Sequence, residues 1–199
     1  MSANPVVRAA ESIENATALD ETVAAAGSAV SRVPLFRPGA LRDLLHGVPL
    51  GHPAHPFAIL VPAGAWISAA VLDFVPGQQK AARTLVGVGL IGVAPAAASG
   101  IADWSALRQQ EQKRVGIVHW AANLTAVALY SASYVQRRRG KHVSGKVLGL
   151  VGLAVVSGSG YLGGHLAYSQ GANVQSPDYD GQDAAVLDEP GHGHHRAEA

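Results

Sequence analysis

Cysteine is absent from this 199-residue chain. That absence removes disulfides, thiolate-held iron–sulfur clusters and covalently attached c-type haem. Any metal or haem must be held by nitrogen and oxygen ligands. Charge is scarce too: 15% of the residues are Asp, Glu, Lys or Arg, against roughly 25% in ordinary soluble domains. The formal net charge is +1, so no global field favours nucleic acid, and none is expected as a partner. No Gly-rich phosphate loop is present and no nucleophile–base pair stands out, which argues against an enzyme. The first residues lack a basic stretch followed by an apolar core. No secretory signal is therefore expected, and the first apolar run is expected to direct its own insertion.

What the chain has instead is long uncharged sequence. No charged residue occurs from Pro56 to Leu72, from Thr84 to Ala102, from Val115 to Gln136, or from Val147 through Pro177. A helix of roughly 17–25 residues spans the hydrocarbon of a bilayer. The runs predict helices over 56–75, 81–101, 115–135 and 146–168. The fold class is an all-α integral membrane protein: a four-transmembrane-helix bundle with an N-terminal interfacial segment and disordered tails. Its parts are a polar tail (1–36), the membrane domain (37–174) and an acidic, His-containing tail (175–199). In the first tail, Ile13, Ala16, Leu19 and Val23 recur at spacings that permit a short surface helix, with disorder as the alternative. Leu41, Leu44 and Leu45 alternate with Arg42, Asp43 and His46, as in a short helix lying in the interface.

Pro62 and Pro95 predict kinks. Helix two carries Gly87, Gly89 and Gly92, and helix four carries Gly145, Gly149, Gly160 and Gly164. Small residues at such spacing let membrane helices approach closely, and they also clear space for a flat cofactor. Lys80, Arg83, Arg137, Arg138, Arg139, Lys141 and Lys146 cluster in two loops on one side. The positive-inside rule makes that side cytoplasmic and puts both termini outside. The expected location is the bacterial cytoplasmic membrane.

Alternating helices bring His52, His55, Asp103, His119 and His165 to the other side, near one level. Asn123 lies one turn from His119, and Tyr161 one turn from His165. Ionisable groups in or beside spans are costly and usually functional. Trp104 and Trp120 fit the interfacial aromatic belt. His46, His142 and the terminal His192, His194 and His195 are read as solvated or incidental.

These residues also carry a resemblance. Leu45-His46-Gly47, Leu50-Gly51-His52-Pro53-Ala54-His55-Pro56, Pro62, Gly64-Ala65-Trp66 and Asp73 resemble the opening of the bacterial membrane family called domain of unknown function 2231. Ala102-Asp103-Trp104, His119 and Gly163-Gly164-His165-Leu166-Ala167-Tyr168 match it in order, so the resemblance spans roughly 37 to 174. It implies a four-helix membrane protein. Some members are fused to a Rieske-type iron–sulfur domain. With no cysteine here, that resemblance implies a separate Rieske-type or other redox protein as partner, besides the lipid bilayer and a second copy of the chain.

Three readings stay open. One is a redox subunit binding haem b, with axial ligands drawn from His55, His119, His165 and His52 and the best pair being His119 with His165 or His55. The second is a non-haem site for Zn, Fe or Cu built from His55, His119, His165 and Asp103. The third is a structural subunit or anchor without a cofactor.

Overall fold

A computed structural model describes residues 4–172, which are helical nearly throughout. Four helices are long and apolar enough to cross a membrane: His55–Leu72, Gln79–Ala106, Gln110–Arg138 and His142–Ser169. The chain is thus a multi-pass membrane protein. The expectation for 175–199 and its three histidines lies outside the described residues.

The N-terminal segment is neither a single surface helix nor a loose tail. It forms α1 (Pro5–Glu14) and α2 (Asp20–Arg32), broken at Asn15–Ala16, so Ile13 and Val23 belong to different helices. Asn4 caps α1 by accepting the Val6 N–H at 2.9 Å, and Pro5 takes the first helical position, where its missing N–H costs nothing. Both helices lie on the His-bearing end of the bundle. Val23 and Val30 of α2 pack with Trp104, Leu107 and Ile117 in a small core. Arg114 ties the cap down, donating to Asp20 Oδ1 and Oδ2 at 2.6 and 2.9 Å and to the Glu14 carbonyl at 2.7 Å.

This tie has a pH signature. Arg114 first, with Gln110, holds the Asp20 carboxyl below its ordinary range by hydrogen bonding to the charged form. A depressed carboxylate stabilises above its unfolded pKa of about 3.9 and loses that stabilisation as pH falls through the lower folded value. The cap should therefore loosen below about pH 4, seen as a red shift of Trp104 fluorescence. Asp20→Asn should shift that transition or remove it.

The interfacial helix α3 (Ala40–His46) ends at Gly47 with φ +85°. A side chain there would also collide with the His52 carbonyl and the Ala54 nitrogen, so only glycine closes this corner. The first span begins as α4 (His55–Ala58) and resumes as α5 (Leu60–Leu72). Pro62 explains the break at Ile59, since it cannot donate to the carbonyl four residues back and its ring crowds that carbonyl. The second span, α6 (Gln79–Ala106), continues through Pro95 and carries Asp103 inside the helix rather than at its exit. The third is α7 (Gln110–Arg138). The fourth is α8 (His142–Gly164), which widens into a π turn at His165–Ser169.

The spans form two tight hairpins, first with second and third with fourth, and the second hairpin repeats the first in register. His55 and His119, Trp66 and Tyr130, and Asp73 and Arg137 stand 64 residues apart. Leu60 and Leu124 keep that offset. In the return helices, Gly89 and Gly152, Leu90 and Leu153, Val93 and Val156, and Gly100 and Gly163 stand 63 apart. Parallel repeats of this kind relate two halves by an axis along the membrane normal. The matched residues meet across the seam between the hairpins. His55 faces His119 at 6.5 Å between ring centroids, Trp66 stacks on Tyr130 at 3.9 Å, and Asp73 pairs with Arg137.

Candidate functional site

The histidine pair near the capped end is the polar centre of this seam. His55 opens the first span, and its Nδ1 lies 2.9 Å from the Ala96 carbonyl of the second, with Ser99 Oγ at 3.4 Å. His119 repeats the arrangement: its Nδ1 lies 2.8 Å from the Ser159 carbonyl of the fourth span and 2.9 Å from Ser159 Oγ. Ala96 and Ser159 occupy matched positions. A carbonyl only accepts, so both imidazoles carry their proton on Nδ1 and keep a lone pair on Nε2. Asn123 Nδ2 donates to Nε2 of His119 at 3.0 Å.

Small residues make room for both rings. A Cβ at Gly100 would press on His55 Cε1 and Nδ1 at 2.9 and 3.0 Å, and one at Gly163 would meet His119 Cε1 at 3.3 Å. Ser99 and Ser159 are buried, and their hydroxyls bond to backbone carbonyls, which satisfies them inside the bundle.

The other predicted site residues go elsewhere. His52 is exposed. Asp103 pairs with His46 at 2.9 Å, and Arg42 Nε donates to the far nitrogen of that ring at 3.1 Å. His46 is therefore part of an interfacial network with both side chains 12% exposed, not a solvated group. His165 gives its Nε2 to Glu14 of α1, which also accepts from Gln170 at 2.8 Å. Trp104 is buried in the cap core against Trp120, with its N–H on the Lys113 carbonyl. His55 and His119 are thus brought together, while His165 and Asp103 are held by other partners. Among the described residues no group of three or more His, Asp or Glu side chains is arranged to hold a metal ion.

The sequence reading missed the second polar centre, at the opposite end. Arg137 bonds both carboxylate oxygens of Asp73, with the two side chains 1% and 7% exposed. Its Nε reaches Ser133 Oγ, which donates to the Gly145 carbonyl. Lys146 donates to the Asp73 carbonyl and covers the Phe74 ring at 3.6 Å. An acid closing one span and a base closing the span beside it, on one side of the bilayer, were the available signal.

No curated protein and no solved structure matches the chain. A family model described as Predicted membrane protein (DUF2231) matches residues 51–176, which takes in all four spans and the His pair. The chain belongs to the DUF2231 family of membrane proteins.

Proposed function

We propose that this protein is a membrane redox subunit holding one b-type haem between His55 and His119. The observation that carries the reading is the matched imidazole pair, each Nδ1–H fixed on a buried carbonyl, with the Nε2 of His55 left as a lone-pair donor and that of His119 accepting from Asn123. Ligating histidines characteristically donate their other N–H in this way, which sets the tautomer and raises ligand basicity. The two rings stand 6.5 Å apart between centroids, edge to face, and both would hold the group.

Haem iron, when bound, supplies one-electron transfer. The chain's own residues do the rest. His55 and His119 hold the group, the Ala96 and Ser159 carbonyls orient the two rings, and α1 and α2 cap the end of the bundle. By the positive-inside rule the basic loops favour a cytoplasmic location for the opposite end, and the His end would then face outward. A separate redox protein, of iron–sulfur type or otherwise, would exchange electrons there. A non-haem zinc, iron or copper site is the weaker reading, because zinc asks for three or four protein ligands and His165 and Asp103 are engaged elsewhere.

Haemin titrated into detergent-purified protein should give one haem per chain by pyridine haemochrome assay. The double variant His55→Ala/His119→Ala should show no Soret band, while His165→Ala should keep it. Equal haem uptake by wild type and the double variant would overturn the reading. No uptake by folded wild type would leave a structural subunit or, if metal analysis is positive, a non-haem site.

A further inference from the structure

Charge is spread unevenly along this chain. The formal net charge is +1, yet residues 73–84 and 136–147, at the end away from the cap, hold seven basic side chains and one acid. The acid is Asp73, and both its oxygens are taken by Arg137. Lys80, Arg83, Arg138, Arg139, Lys141 and Lys146 have no carboxylate partner among the described residues. A cleft of about 230 Å³ opens at this end. Asp73 and Val75 bound it just past the first span, Gln79 where the second begins, and His142, Val143 and Lys146 in the first turns of the fourth. Lys146 is half-buried and its ammonium is already positioned, donating to the Asp73 carbonyl at 3.1 Å and lying 3.6 Å over the Phe74 ring. An ammonium carries three donors, so that one bond leaves capacity for a ligand in the cleft.

We propose that this cleft binds the headgroup of an anionic phospholipid, with the phosphate on Lys146 and His142 and the acyl chains along the first and fourth spans. Two exposed apolar rows start at cleft-lining residues. Val75, Val71 and Ile67 run down the first span, and Val143, Val147 and Val151 run down the fourth, each at four-residue spacing. Those two spans pack against each other. A cation at the mouth with apolar rows beneath it is the order of a phospholipid, whereas a free anion would use the mouth alone. Asp73 does not oppose the phosphate, because Arg137 matches its charge inside the bundle and its side chain is only 7% exposed. Basic pockets between spans at the cytoplasmic face take anionic headgroups, and the positive-inside rule favours that face for this end. The cleft lies opposite the histidine pair and does not depend on what that pair holds.

Native mass spectrometry of delipidated, detergent-purified protein, offered phosphatidylglycerol and phosphatidylcholine in equal amounts, tests the site. Wild type should retain phosphatidylglycerol in preference, and excess inorganic phosphate should not release it. Lys146→Met should cut the preference about fivefold, the worth of one basic side chain at a membrane surface, while Lys146→Arg should keep it. Val143→Glu is the second variant. It alters only an exposed side chain in the first turn of the fourth span, so the fold should tolerate it. Its carboxylate at the cleft should lower the preference by a similar factor. Arg138→Gln removes the same charge as Lys146→Met from outside the cleft lining, and it should leave the preference largely intact. Equal losses from Arg138→Gln and Lys146→Met would mean a diffuse basic surface in place of a site, and would overturn the proposal. An absent preference in wild type, or an undiminished one in Val143→Glu, would overturn it as well. Release of the lipid by inorganic phosphate would show a site for a free anion and would overturn the lipid assignment.

Discussion

Arg137→Met alone is expected to destabilise the protein by about 3–5 kcal/mol, as removal of one member of a buried ion pair typically does. The cost arises on the partner left behind. Asp73 is 7% exposed, and both its oxygens are occupied by the Arg137 guanidinium. Without it, a carboxylate is stranded at the end of a membrane span, with Lys146 committed to the neighbouring carbonyl and the Phe74 ring. Asp73→Leu alone should cost a similar amount for the converse reason. Together the two substitutions should recover most of the loss, because an apolar pair of similar volume replaces a buried ion pair at little net cost. Unfolding in mixed detergent micelles, followed by circular dichroism, gives the four values of this cycle. Strictly additive losses would show that the pair is not coupled, and the account of this end of the bundle would fail.

Trp66→Ala should cost a comparable ~3–5 kcal/mol through the cavity it leaves. Trp66 is 4% exposed, stacks on Tyr130, and donates its indole N–H to the Val86 carbonyl at 3.3 Å. Gly89 exists to admit this ring, since a Cβ there would collide with the indole nitrogen. The stack lies about 16 Å below the histidines at 1.5 Å per residue, and it joins the two hairpins at mid-span. Its loss should therefore also disorder the His55–His119 spacing, read as broadened imidazole resonances. Tyr130→Phe is the control. The buried hydroxyl has no partner among the described residues, so its removal should be neutral or slightly stabilising. Full stability in Trp66→Ala would mean that the hairpins are held by other contacts.

The four spans were legible because lipid demands what a sequence shows directly: uncharged runs of helix length. The shared level of His55 and His119 was legible for the same reason, since alternating helices leave few places for a polar residue. Partner choice was not. His165 and Asp103 sit at the right level, but their partners, Glu14 and His46, lie on short helices outside the four spans. The cap was hidden because its helices are held by specific long-range contacts, Arg114 to Asp20 and Val23 to Trp104, rather than by a long apolar stripe. The internal repeat was obscured because most of its identical positions are glycine, leucine or valine, common in any membrane span, and two of its seam pairs differ in residue type. Asp73 answers Arg137, and Trp66 answers Tyr130, so similarity at a 64-residue offset is faint until the contacts are seen.

The reduced-minus-oxidised visible spectrum of protein purified directly from membranes of cells supplied with ample haem tests the central claim most directly. The account predicts a Soret band that shifts on dithionite reduction, sharpened bands in the visible region, and loss of all of them in His55→Ala/His119→Ala. A flat visible spectrum from folded wild-type protein, or an unchanged one in the double variant, would contradict it.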